Sequence, residues 1–389
     1  MAATWRRRGQ TDEGGETPRK EVKSGVKMKQ IPRLVVPWLK SVFRITRRRV
    51  LSGRCRGHAS SGLLIAVFVL CLLYHLVFNI GMWFGNPSVV HWCKYKEVPS
   101  YLLRKEPDEI TLVTAYFNLG TLKTGNKFWD YIAPYKYKQW MRPFGVIANR
   151  MVVFVEDDSM VEYFREIRSC FPENHTEIIK VTRSELWSFS VLDNVRKIYS
   201  NSSYPKLYPN TVSAEYTCVL HSKYELLQSV IDAEVFHSPA LAWIDSGYFK
   251  NLDGITTEPF KLLVPSKFNT KKVGFSQIWP RDPYLSPSTV MTKHALWVST
   301  GFILGLPKVL KNFTQQYRSS MEEFLDMGLM NTDKQVIYAM YSSTQKFKKY
   351  AKMIKPYTCH QGQLGLYGSD TQYYCLGFVC KHMWDRITP

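Results

Sequence analysis

The 389 residues contain neither Gly-x-Gly-x-x-Gly nor Gly-x-x-x-x-Gly-Lys-[Ser/Thr]. Those are the backbone cradles of dinucleotide-binding and P-loop enzymes, so both classes are set aside. No Gly-x-Ser-x-Gly elbow occurs, which argues against a serine hydrolase of the α/β type. No Cys-x-x-Cys occurs either, and His360 beside Cys359 lacks partners at ligand spacing, so zinc has little support. No internal repeat is present. Acidic residues are outnumbered most strongly at the N-terminus: residues 1–61 hold 4 Asp+Glu against 16 Lys+Arg, leaving 28 and 36 to the other 328 residues. The net charge of +20 is therefore mostly local, which counts against nucleic acid as a partner.

Residues 62–84, GLLIAVFVLCLLYHLVFNIGMWF, contain no Asp, Glu, Lys or Arg over 23 positions. About 20 apolar residues suffice for a helix to cross the hydrocarbon layer. Arg47, Arg48, Arg49, Arg54 and Arg56 crowd the N-terminal side, and Trp83 and Trp92 stand near the other end. The positive-inside rule then predicts a single-pass type II anchor with the N-terminus cytoplasmic. The run starts too far into the chain, and is too long, for a cleaved signal peptide. All three Asn-x-[Ser/Thr] sequons, at Asn174, Asn201 and Asn312, lie beyond the span. Six cysteines follow it: Cys93, Cys170, Cys218, Cys359, Cys375 and Cys380. An even number in an oxidising lumen points to disulfides, with fifteen pairings open.

The expected organisation is a basic, largely disordered cytoplasmic arm (1–61), a transmembrane helix (62–84), a stem (85–109) and a luminal domain (110–389). Within that domain, continuous apolar runs at 110–117, 151–155 and 240–244 read as buried strands, and 177–181 as another. Aromatics at near-helical spacing mark 128–140. Helices are expected over 159–169, 224–233 and from Pro307 to about Phe324. Strands alternating with helices predict an α/β domain with a mostly parallel sheet, whose ligands gather at the carboxyl ends of the strands. Three strands end there in polar residues: Thr114 to Asn118, Glu156-Asp157-Asp158, and Asp245-Ser246-Gly247. Asp157 and Asp158 read first as an ordinary charged turn. Asp245 reads either as an Asx-turn cap or as a site carboxylate, and the strand that delivers it favours the site. Asp333 follows the capping residues Asn331 and Thr332, where a carboxylate complements the helix dipole and can also face a cleft.

Val113-Thr114-Ala115-Tyr116-Phe117, His221-Ser222-Lys223-Tyr224-Glu225, Trp243-Ile244-Asp245-Ser246-Gly247 and Asn331-Thr332-Asp333-Lys334-Gln335 resemble the HtrL/YibB family of glycosyltransferase-like proteins over roughly residues 110–345. The resemblance implies a GT-A-like, nucleotide-diphospho-sugar transferase domain behind the anchor, in the Golgi or ER lumen. The partners it implies are a nucleotide-sugar donor and a glycan or glycoprotein acceptor. By the same resemblance Thr114 and Tyr116 line the nucleotide base pocket, and Lys223 meets the donor phosphates unless it is a solvated helix-start lysine. Asp245 and Gly247 then belong to the donor site. Asp245 holds metal or ribose, and Asp333 is a general base or acceptor ligand. His360 stands where some GT-A enzymes place a late metal-binding histidine. The cofactor implied is Mn²⁺ or another divalent cation, but Gly247 occupies the place of the second carboxylate of an Asp-x-Asp pair. That glycine keeps open an alternative, a non-catalytic glycan-binding or scaffold protein on the same fold.

Overall fold

A computed structural model describes residues 98–252, 258–342, 353–359 and 371–385, together with positions 69 and 73. The arm, nearly all of the expected span and His360 lie outside the described residues; Val69 and Leu73, inside the span, are helical and exposed. Among the described residues no helix is long and apolar enough to cross a membrane.

The domain is built on a seven-stranded mixed sheet. Its strands in chain order are β1 Ile110–Tyr116, β2 Met151–Val155, β3 Thr176–Lys180, β4 Ala240–Ile244, β5 Val273–Gln277, β6 Val298–Gly305 and β7 Ile354–Tyr357. Their spatial order is β3-β2-β1-β4-β6-β5-β7. Six strands run one way, and β6 alone is antiparallel to both its neighbours. The mostly parallel sheet expected from the sequence is therefore present.

The central strands lack inside-outside alternation because both faces are covered. Every residue of β2, β4 and β6 is buried. Successive side chains go to opposite layers. Val113, Val152, Leu241 and Trp243 join one core with the helices α3 Ala214–Asp232, α4 Pro307–Asp326 and α5 Asp333–Met340. Leu112, Met151, Val153, Ala242 and Ile244 join the other, with α2 Asp158–Ile167 and α6 Thr371–Asp385.

Several expectations shift. Helix α3 begins ten residues before 224, where the Ser213 hydroxyl accepts from the Tyr216 amide at 3.2 Å. The 128–140 segment is helical only as α1, Pro134–Met141; before it, Leu122–Lys123 and Tyr131–Ile132 form a two-stranded ribbon. Pro134 sits at the first helical turn, the position its fixed φ and missing amide hydrogen suit. The end of the expected stem packs on the domain, with Leu102 fully buried in the second core. Of the cysteines, Cys359 and Cys375 form a disulfide that ties the end of β7 to α6, and Cys170 is also disulfide-bonded. Cys218 and Cys380 are free and buried, so the six cysteines beyond residue 84 are not all paired.

Candidate functional site

Lys223 lies midway along α3 with only 2% of its side chain exposed. A buried ammonium needs compensating charge, and two carboxylates supply it. Its Nζ is 2.9 Å from Asp245 Oδ1 and 3.2 Å from Oδ2 at the end of β4. It is 3.0 Å from Asp333 Oδ2 at the start of α5, and it donates to the Thr300 carbonyl of β6 at 3.3 Å. Four elements distant in sequence thus converge on one nitrogen. Lys223 is neither solvated nor at a helix start, because the helix it belongs to begins nine positions earlier.

The two carboxylates differ. Asp333 is fully buried. Burial by itself would raise its pKa, but Lys223 and Lys334 outweigh that and hold it below the usual carboxylate value. It also accepts from the Lys334 amide at 3.0 Å and from the Tyr224 hydroxyl at 3.4 Å. Asp245 is 36% exposed. Its Oδ1 accepts from Trp243 Nε1 at 2.7 Å, and its main-chain carbonyl accepts the Tyr248 amide at 2.9 Å. The turn is closed by main chain, which leaves the carboxylate to Lys223, Trp243 and the space beyond. Burial would depress the Lys223 pKa, and the two carboxylates instead keep it raised.

That space is a cavity of about 390 Å³ at the carboxyl ends of β1 and β4. Its walls include Tyr116, Tyr137, Trp140, Tyr216, Trp243 and Tyr248, and the ribbon contributes Leu122 and Ile132. Burial raises the Tyr116 pKa to about 12, reinforced by Tyr137, Asp157 and Glu156, so this phenol stays protonated and can donate. Tyr137 is raised by burial and by Asp245. Tyr248 is locked from behind: its hydroxyl donates to the Tyr374 carbonyl at 2.6 Å and accepts from the Gly377 amide at 3.0 Å. Any Cβ at Gly377 would stand 2.4 Å from the Tyr248 ring, so α6 packs this closely there because position 377 is glycine. Gly247 lines the cavity, and a Cβ on it would press to 3.3 Å of Trp140.

Of the residues singled out in the sequence, Tyr116, Lys223, Asp245 and Gly247 line this cavity. Thr114 does not. It is buried in β1, and its hydroxyl has no partner among the described residues. Asp333 does not line it either; it is fully buried and meets the site through its ion pair with Lys223. Asp157 caps α2, accepting from the Met160 amide at 2.9 Å, and Asp158 pairs with Lys180 on the surface. Asn174, Asn201 and Asn312 are all exposed. Sequence reasoning missed Tyr137, Trp140, Tyr216, Tyr248, Lys250 and Lys334, which also line the cavity. Lys250 and Lys334 sit within or beside the quoted motifs and were legible as neighbours. The aromatics had no polar signature.

The described residues do not by themselves make a divalent-cation site. Asp245 is the one acidic side chain on the cavity wall among the described residues. Its Oδ1 is already engaged twice and its Oδ2 once. No group of three or more His, Cys, Asp or Glu among the described residues is placed to hold a metal.

Residues 108–354 match the HtrL_YibB family model, described as a bacterial protein of unknown function. Among solved structures, the chain is similar to mouse xyloside xylosyltransferase 1 in its apo form. Identity is 9%, the TM-score 0.31, and the match covers 69% of this chain and 94% of that one. No curated protein matches.

Proposed function

The chain belongs to the HtrL_YibB family, and from that premise we propose that the described domain is a glycosyltransferase acting on a nucleotide-sugar donor. The observation that carries the reading is Asp245, a half-exposed carboxylate fixed by Lys223 and Trp243 beneath an aromatic cavity at the strand carboxyl ends. That edge is where open α/β sheets bind ligands, and the volume falls in the range of small-molecule sites. Tyr116 and Tyr137 offer ring faces and hydroxyls to a base. Asp245 accepts a hydrogen bond from a sugar or ribose hydroxyl of the donor, or takes the proton of the acceptor hydroxyl. In the transfer, the bond from the sugar's anomeric carbon to the diphosphate breaks and one to the acceptor oxygen forms. The leaving diphosphate keeps the electron pair.

The expected anchor at 62–84 and the exposure of Asn174, Asn201 and Asn312 support a luminal, Golgi or ER address with a glycan or glycoprotein acceptor. A second reading, a glycan-binding module without transfer, is favoured by one feature. Phe128, Trp129, Tyr131 and Tyr135 are exposed on the segment that carries the ribbon, Phe128 by 82%, and clustered exposed aromatics mark binding surfaces.

The test is thermal unfolding of the full chain in detergent against UDP, GDP and CMP sugars, with transfer or hydrolysis of the labelled sugar followed in parallel. A cognate donor at a hundredfold excess over Kd stabilises by about 2.7 kcal/mol. Stabilisation by one donor class, lost in Asp245→Asn, is the expected result. Glycan binding with no response to any donor would replace this reading with the second.

A further inference from the structure

The cavity's cations divide into one that is committed and two that are not. An ammonium has three N–H donors, and Lys223 directs its own to Asp245, Asp333 and the Thr300 carbonyl. It therefore has nothing left for a phosphate, and the role of phosphate ligand that the resemblance gave it must fall elsewhere. Lys250 and Lys334 also line the cavity. Neither is ion-paired with a carboxylate among the described residues. Lys250 lies over the Trp140 ring at 5.2 Å, which holds its ammonium against the cavity wall. Lys334 follows Asp333 at the start of α5, with its amide bonded to that carboxylate.

Counting formal charges, Lys223 with its two carboxylates leaves −1, and Lys250 and Lys334 turn the site positive. An anionic ligand is what such a site lacks. Asp245, meanwhile, keeps little free lone-pair capacity for a metal, and Gly247 supplies no second carboxylate.

We propose that Lys250 and Lys334 hold the diphosphate of the donor and carry the charge compensation otherwise supplied by a carboxylate-bound divalent cation. Lys223 has a separate task, which is to fix Asp245 and neutralise Asp333. The inference rests on the nucleotide-sugar reading for the ligand's identity, but the lysine pair itself answers to diphosphate alone.

The full chain in detergent is titrated with inorganic pyrophosphate and with UDP, GDP and CDP, each in EDTA and in Mn²⁺. Lys250→Gln, Lys334→Gln, the arginine replacements and Lys311→Gln are compared with the wild type. Lys311 pairs with Asp232 on the surface, so its variant removes the same charge away from the cavity. The expected result is binding in EDTA as tight as in Mn²⁺. Each cavity Lys→Gln variant weakens it about ten- to a hundredfold, the span of a lost charged hydrogen bond. Arginine retains it, and Lys311→Gln has no effect. Nucleotide binding that appears only with Mn²⁺ overturns this inference while leaving the glycosyltransferase reading intact. Pyrophosphate binding in EDTA without response to any nucleotide supports the lysine pair and removes the nucleotide reading. Wild-type affinity in both Gln variants overturns the assignment, and so does the absence of binding by every probe.

Discussion

Among the described residues Arg168, Lys223 and Lys261 are buried cations, and the first two are compensated in opposite ways. Arg168, just past α2, is 3% exposed and directs its guanidinium at main chain. It donates to the Phe144 and Asn149 carbonyls at 2.9 Å, to the Ile147 carbonyl, and to the Thr176 hydroxyl at 2.9 Å. No carboxylate faces it among the described residues, and burial pushes its pKa down to about 9. Lys223 is equally buried but meets two carboxylates, one of which opens on the cavity. The first arrangement staples a loop to a strand and ends there. In the second, charge on three separate elements is poised against a space a ligand can enter. Burial of a charge is thus not what marks the site; a partner carboxylate that opens on the cavity is.

The sharpest way to break that contrast is to remove each cation. Lys223→Met leaves Asp333 charged, buried and unpaired, which costs about 3–5 kcal/mol, and donor binding is lost with it. Arg168→Met strands main-chain carbonyls at about 1–3 kcal/mol, and donor affinity is unchanged. Urea unfolding and nucleotide titration of both variants decide it. Loss of binding in Arg168→Met would erase the distinction.

Acid sharpens the same comparison through two histidines, His221 beside Lys223 and His175 near Arg168. Burial lowers both to about 4; at His221 the Asp333 charge opposes the shift, whereas at His175 Arg150 and Arg168 add to it. With a folded pKa below the ordinary 6.5, the unfolded chain takes the proton first. Stability is therefore intact above pH 6.5 and lost as pH falls toward 4. His221 contributes on the order of 3 kcal/mol to this loss. Asp333 adds a further loss only below 3.8. Unfolding free energies across that range should show shallower slopes in His221→Asn and in His175→Gln; an unchanged slope in either would remove that histidine from the account.

Gly377→Ala probes the support behind the cavity. Its methyl would meet the Tyr248 ring at 2.4 Å, so overpacking should cost about 1–3 kcal/mol. Denaturant unfolding measures this, and a neutral result would mean that α6 shifts freely against the site. The smallest effect on stability belongs to Asp245→Asn. Lys223 keeps Asp333, and the variant's amide oxygen still accepts from Lys223 and Trp243, so the change costs about 1 kcal/mol or less. Stability barely moves while donor-dependent stabilisation disappears. A large loss of stability here would make Asp245 a structural residue like the partners of Arg168.

The strands β1, β2 and β4 were legible because a strand covered on both faces is an unbroken apolar run. Asp245 was legible for the complementary reason, as an abrupt charge at the end of such a run. β5 and β7 were not: they are four or five residues long and carry Gly274 and Pro356, and their pairing with β6 and with each other is what makes them strands. Lys223 was placed at a helix start because the apolar pattern strengthens only after it, although Ser213 had already capped the helix. Thr114 shares a motif with Tyr116, yet only Tyr116 reaches the cavity.

Local pattern by itself determined the alternation of strands and helices, the strand ends where polar residues collect, and the separation of a strongly basic N-terminal arm from a mildly basic remainder. Those follow from side-chain periodicity and from which residues tolerate water. Only the tertiary structure decided that one ammonium on α3 would sit between carboxylates from β4 and α5, 22 and 110 positions downstream. A salt bridge is set by distance in space, and chain order carries no measure of that distance until the sheet has closed around it.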